Sequence, residues 1–190
     1  MTDLNFIQEY TRNGRELTKE KIEYLTSNSK LKGYVGNRQC GKTYLLYQDL
    51  ICNAFNNPGD YLVVAPNFPT LRVIQQYIRN CLEDFMLDFE PVSVFPSHTI
   101  KKISNGSTIT FISGVNVNEG FIRGRNYKAV YIDEPRFITR ILDLLDLLTL
   151  VVARDCGYVS VFGTVNMEFA TQLEEIGFKL IYSKEGYNGL

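Results

Sequence analysis

Apolar positions along the chain follow two alternating rhythms. Short apolar, β-branched runs occur at Leu31–Gly36, Asp60–Ala65, Lys128–Ile132, Gly157–Phe162 and residues 178–183, and each reads as a buried strand. Between them the apolar residues return every three or four positions. Leu71, Ile74, Tyr77, Ile78, Cys81, Leu82 and Phe85 share one face of a helix that begins near Pro69 and runs to about Leu87. Further helices are predicted over about 42–56, 138–153 and 167–176, and two short polar ones over 3–11 and 18–28. Strands at about 98–103 and 107–112 are joined at Asn105-Gly106, a strong hairpin signal. Residues 113–126 read as a polar, glycine-bearing loop. Strands separated by helices imply a mostly parallel sheet covered on both faces, with ligands bound beyond the carboxyl ends of the strands.

Composition narrows this picture only slightly. The 190 residues suit one domain, read as a helical segment over 1–30 followed by a core over 31–190. Twenty basic residues against 21 acidic ones give a net charge of −1, which argues against tight independent binding to nucleic acid. No apolar run is long enough to cross a membrane, and the start lacks a signal-peptide pattern, so a cytoplasmic protein is expected. Cys40, Cys52, Cys81 and Cys156 form no metal-binding spacing, and the single histidine, His98, stands apart from them.

The chemistry concentrates at two strand ends. Gly36-Asn37-Arg38-Gln39-Cys40-Gly41-Lys42-Thr43 fits G-x-x-x-x-G-K-[ST] between a predicted strand and a predicted helix. Glycines let the backbone N–H groups wrap a phosphate, and the helix presents its positive end to the same group. Lys42 is expected to reach the β- and γ-phosphates of ATP, and the Thr43 hydroxyl to ligate Mg²⁺. Ala129–Ile132 leads into Asp133 and Glu134. Asp133 suits the metal shell opposite Thr43, and Glu134 suits polarising an attacking water, which favours ATP hydrolysis over transfer to another substrate. At the end of the next strand, Thr164 and Asn166 are candidate γ-phosphate sensors, although Asn166 equally suits a helix cap.

Several stretches together resemble the ATPase domain of the large terminase subunit of tailed bacteriophages. They are Asn37–Thr43 with its internal arginine, Tyr61–Pro66 and the helix after it, Ile103–Ile109 with its Asn-Gly-Ser turn, Gly120–Asn126 with its Arg-Gly pair, and Gly163–Asn166 as a coupling segment. The resemblance spans roughly 31–183. It implies an α/β, three-layer P-loop NTPase fold of the ASCE type, with a mostly parallel sheet and an antiparallel hairpin near 98–112. It also implies that Arg38 stabilises γ-phosphate charge in cis, and that ATP hydrolysis drives double-stranded viral DNA into a procapsid. The implied partners are the portal protein, the small terminase subunit and further copies in a ring, a pentamer by the family pattern, at the procapsid portal in the host cytoplasm. Pro135 and Val165 depart from the family pattern. Terminases continue into a nuclease domain, and none is expected in this sequence.

Arg123 and Arg125 are candidates to contact DNA phosphates, the nucleotide or a neighbouring subunit, Arg123 lying in the Arg-Gly segment of the resemblance; Lys101 and Lys102, and Arg72 and Arg79, are further candidate DNA contacts but read better as exposed solubilising charges. Arg125, Arg136, Arg140 and Arg154 are candidates to complete a neighbour's site, and the sequence does not choose among them. Two other readings stand beside the motor: a helicase-like or repair ATPase, and a nucleotide-gated assembly factor that does not hydrolyse.

Overall fold

In a computed structural model of the chain, the described residues are 17–84, 88–94, 98–116, 119–153, 157–164 and 166–184. The elements are α1 (Lys19–Thr26), β1 (Leu31–Val35), α2 (Lys42–Asn56), β2 (Asp60–Ala65), α3 (Phe68–Asp84), β3 (Phe89–Val94), β4 (His98–Ile103) and β5 (Thr108–Ser113). They continue as α4 (Glu119–Arg123), β6 (Ala129–Asp133), α5 (Ile141–Ala153), β7 (Tyr158–Gly163), α6 (Met167–Ile176) and β8 (Lys179–Tyr182). The expected helix at 3–11 lies outside the described residues.

Eight strands form one sheet in the order β3-β4-β5-β2-β6-β7-β1-β8. The run from β5 to β8 is parallel, and β4 and β3 are added antiparallel at one edge. The fold is therefore the expected three-layer α/β arrangement. One buried cluster joins α1, α2 and α3 to one face of the sheet through Leu45, Leu46, Leu50, Ile74 and Ile78. A second joins α5 and α6 to the other face through Leu145, Leu148, Val152 and Leu173. With both faces covered, the central strands β2, β6 and β7 are almost wholly buried, which explains their largely apolar sequences; the buried Ser160 of β7 is hydrogen-bonded to the Tyr24 hydroxyl.

Three details differ from the sequence reading. The sequence pattern does not signal β3, because Pro91 interrupts it; β3 is an edge strand, where a missing N–H is tolerated. Residues 113–126 are not a simple loop: a 3-10 turn covers Gly114–Asn116, and α4 follows. The helix expected from 138 starts at Ile141, after a 3-10 turn at Pro135–Phe137, with Arg140 at a φ of 56° between them.

The face carrying α2 also holds buried polar chemistry. Asp49 of α2 accepts hydrogen bonds from the hydroxyls of Tyr24 (3.0 Å) and Tyr158 (3.1 Å) and from Asn53 Nδ2 (2.9 Å). The Lys32 ammonium lies 4.3 Å from the Tyr24 ring centre and 4.6 Å from that of Tyr158. Two phenol rings thus stand between a buried cation and a buried anion, so neither charge is left uncompensated. This cluster ties α1, α2, β1 and β7 together.

The Asn-Gly-Ser turn has a structural task. Asn105 Nδ2 donates to the carbonyls of Ala54 (2.9 Å) and Phe55 (3.0 Å), and the Ser107 hydroxyl donates to Ala54 O (2.5 Å). These carbonyls belong to the last turn of α2, where no intrahelical N–H reaches them. The β4–β5 hairpin therefore caps the far end of the helix that begins at Lys42.

Candidate nucleotide-binding site

β1 delivers the chain to the carboxyl edge of the sheet, and Gly36–Gly41 turn it back into α2. The turn is built from backbone that only certain residues accept. Gly41 has a φ of 77°, and Gln39 reaches 68° despite carrying a side chain. A Cβ on Gly36 would lie 2.7 Å from Ser183 Cβ and 3.0 Å from Cys40 Sγ, so the loop closes only with glycine there. Lys42 is buried and its ammonium donates to the carbonyls of Gly36 (3.1 Å) and Asn37 (2.6 Å), lying inside the bowl of the loop.

β6 and β7 bring the acidic pair to the same edge. The Thr43 hydroxyl donates to Asp133 Oδ1 at 3.3 Å, across ninety residues of sequence. Asp133 is buried, and that burial, followed by the neighbouring Glu134 charge, pushes its carboxyl up to about 7. The Thr43 hydrogen bond and the Lys42 charge pull in the opposite direction. A carboxylate held at this cost is one that a cation would stabilise.

Glu134 is fixed at both ends. Its backbone takes a φ of 45°, and its N–H donates to Phe162 O at 2.6 Å. Its carboxylate Oε2 accepts from the backbone N–H of Thr164 at 3.1 Å. Gly163 makes this approach possible. A Cβ there would meet Glu134 Cα at 3.1 Å, Glu134 Oε2 at 3.2 Å and Pro135 Cδ at 3.0 Å. Gly163→Ala is therefore expected to displace the Glu134 carboxylate while leaving the Gly36–Thr43 loop intact. Steady-state assays should show ATP turnover reduced about tenfold or more, with nucleotide affinity changed less than about threefold, since small misplacements near a reacting centre have that scale.

Of the expected site residues, Gly36, Asn37, Arg38, Gln39, Cys40, Gly41, Lys42 and Thr43 form the loop, and Asp133 and Glu134 face it from β6. Arg38, Gln39, Gly41, Lys42, Thr43 and Glu134 line one cavity of about 300 Å³. Thr164 meets the site through its backbone N–H, which donates to Glu134 Oε2. Asn166 caps α6, its side-chain oxygen accepting from Phe169 N at 2.9 Å. Among the other candidate arginines, Arg140 pairs with Asp143, Arg79 with Glu83, and Arg136 lies over the Phe137 ring. Arg123 is exposed at the end of α4, and Arg154 and Cys156 lie outside the described residues.

One neighbour of the loop has no signal in the sequence. Lys21 of α1 is buried, and its Cε and Nζ lie 3.9 Å from where a Gly41 Cβ would stand. Nothing in the spacing of residues 18–28 marks it, because α1 reaches the loop only through tertiary packing.

The residues present fit a magnesium–nucleotide complex. Adjacent oxygens of an octahedral Mg²⁺ shell lie about 3 Å apart, close to the separation of the Thr43 and Asp133 oxygens. Among the described residues no cluster of three His, Cys, Asp or Glu side chains surrounds a metal position, so phosphate and water oxygens would supply the other ligands.

A strand–loop–helix phosphate cradle, with β7 standing between β1 and the acidic strand β6, defines a P-loop NTPase of the ASCE type. Within that class, residues 34–164 match the family described as terminase large subunit, T4likevirus-type, N-terminal, and the chain belongs to this family. Solved structures share the fold. The large terminase of a thermophilic bacteriophage, in complex with ADP, superposes with a TM-score of 0.66 at 13% identity, covering 88% of this chain and 45% of that one. The large terminase ATPase domain of Thermus phage P74-26 gives 0.66 at 14% identity, covering 92% and 84%. The bacteriophage HK97 large terminase gives 0.60 at 10% identity, covering 93% and 41%. The chain thus spans less than half the length of the ADP-bound terminase and of the HK97 protein. No curated protein matches by sequence. Among the described residues no helix is long and apolar enough to cross a membrane.

Proposed function

We propose that this chain binds Mg·ATP on the Gly36–Thr43 loop and hydrolyses it, as the ATPase part of a motor that moves double-stranded viral DNA into a procapsid. The observation that carries the reading is the convergence of Thr43, Asp133 and Glu134 at one sheet edge beside Lys42. Lys42 binds the β- and γ-phosphates. Thr43 and Asp133 would hold Mg²⁺, which would supply neutralisation of phosphate charge. Glu134, held by the Thr164 N–H, accepts a proton from the attacking water, and Arg38 at the cavity rim stabilises charge on the γ-phosphate. The carboxylate–Thr164 contact links the reacting end of the site to the segment leading into α6, a direct route from hydrolysis to movement.

Family membership supports the packaging role, and the HK97 and thermophilic-phage structures that share the fold are of large terminases. The partners proposed are DNA, the portal, the small terminase subunit and further copies of the chain in a ring, with the nuclease function supplied outside residues 1–190.

The test is thermal melting with ligand and metal varied independently. ATP with Mg²⁺ at about a hundred times its dissociation constant should stabilise the protein by about 2.7 kcal/mol, read as a rise in Tm of several degrees. The same ATP with EDTA should give a clearly smaller rise. Equal shifts with and without the metal would reject Thr43 and Asp133 as a magnesium site, and no shift at all would reject nucleotide binding.

A further inference from the structure

The cavity that contains the phosphate loop does not end at phosphate chemistry. Beyond Lys42 and Thr43 it is lined by Tyr44 and Tyr47 of α2 and by Tyr77 of α3. The Tyr47 and Tyr77 rings stack with an interplanar angle of 10° at 5.2 Å, and Tyr44 meets Tyr47 edge to face at 4.8 Å. Tyr47 is buried, whereas Tyr77 is 44% exposed. The cluster is braced from behind: Gln48 Nε2 donates to the Tyr44 hydroxyl at 3.3 Å and contacts Cys81 Sγ of α3 at 3.5 Å.

We propose that this tyrosine cluster is the nucleobase seat of the site, with Tyr77 supplying the stacking face. The inference rests on the nucleotide-binding reading above and adds where the base goes. Helix geometry supports the placement. The amino end of α2 holds the phosphates, and Tyr44 and Tyr47 succeed each other on one flank of that helix, separated by a rise of about 4.5 Å. Because the same cavity continues from the loop to these rings, a nucleoside that follows it from a phosphate at the helix start brings its base beside the Tyr47–Tyr77 pair. An aromatic ring already stacked on one neighbour, in the same cavity as a phosphate cradle, is chemistry suited to a flat heterocycle. Every base has a π-face, so the cluster recognises that a base is present more than which base it is.

The experiment measures binding of Mg·ATP and of Mg·tripolyphosphate, which lacks the nucleoside, to the unmodified protein, Tyr77→Ala, Tyr77→Phe and Lys21→Ala. Tyr77→Ala should weaken ATP about tenfold and leave tripolyphosphate unchanged, and Tyr77→Phe should retain the original ATP affinity. Unchanged ATP affinity in Tyr77→Ala overturns the proposal while leaving nucleotide binding intact. An equal loss for both ligands overturns it as well, since that marks a disturbed phosphate loop. A loss specific to ATP in Lys21→Ala, absent from Tyr77→Ala, would put the base on the α1 flank instead. If the unmodified protein binds neither ligand, the nucleotide reading fails and this one with it. Circular dichroism checks that each variant is folded, and the half-exposed position of Tyr77 makes the truncation mild.

Discussion

Glu134→Gln should bind Mg·ATP as well as the unmodified protein, or slightly better, and lose at least about two orders of magnitude in turnover. The substitution preserves shape. A glutamine oxygen can still accept from the Thr164 N–H at 3.1 Å, so the side chain keeps its position and the αL backbone at residue 134 is not asked to move. What disappears is the negative charge proposed to take the proton from water, a contribution of roughly 10²–10⁴-fold for a general base. The same charge raises the Asp133 pKa, so its removal lets Asp133 ionise more readily, which favours the metal and hence the nucleotide. Phosphate release under saturating ATP, paired with a binding titration, separates the two effects. Turnover equal to that of the unmodified protein would remove Glu134 from the mechanism.

Lys42→Ala is the complementary case, with the loss appearing in binding. The lysine is buried, and its ammonium holds the loop carbonyls of Gly36 and Asn37. Truncation removes the charge-assisted donor proposed to face the phosphates, leaves those carbonyls without their partner, and takes from Asp133 the cation that lowers its pKa. A hydrogen bond to a charged group contributes about 1.5–3 kcal/mol, and more than one is lost, so nucleotide affinity should fall at least about a hundredfold. Calorimetric titration measures it, with far-ultraviolet circular dichroism to show that the sheet persists. Affinity within about threefold of the original would contradict the role given to this residue.

The parts of the molecule legible from sequence are those whose physics is local. The loop at Gly36–Thr43 announces itself because its backbone demands glycines and a lysine at fixed offsets. Asp133 and Glu134 stand out because two acids end an apolar strand. The parallel sheet follows from apolar runs that only double-sided burial explains. β3 is hidden by Pro91, which an edge strand accepts and a central strand does not. α4 has five residues, too few to show a period, and exists through the packing of Ile122 against its neighbours. Residue type leaves Asn166 open between sensor and cap, and the structure places its oxygen on Phe169 N. Thr164 holds Glu134 through a main-chain N–H, which residue type does not encode. Lys21 and Tyr77 reach the site from helices far along the chain, and only the assembled tertiary structure brings them to Gly41 and Tyr47.

The capping of α2 by the Asn105–Ser107 turn gives that helix a mechanical character. Its fifteen residues span about 22 Å, joined at one end to the Gly36–Thr43 loop and capped at the other by a hairpin on the antiparallel margin of the sheet. The helix that starts at Lys42 is thereby tied directly to β4 and β5, on the flank of the sheet away from β8.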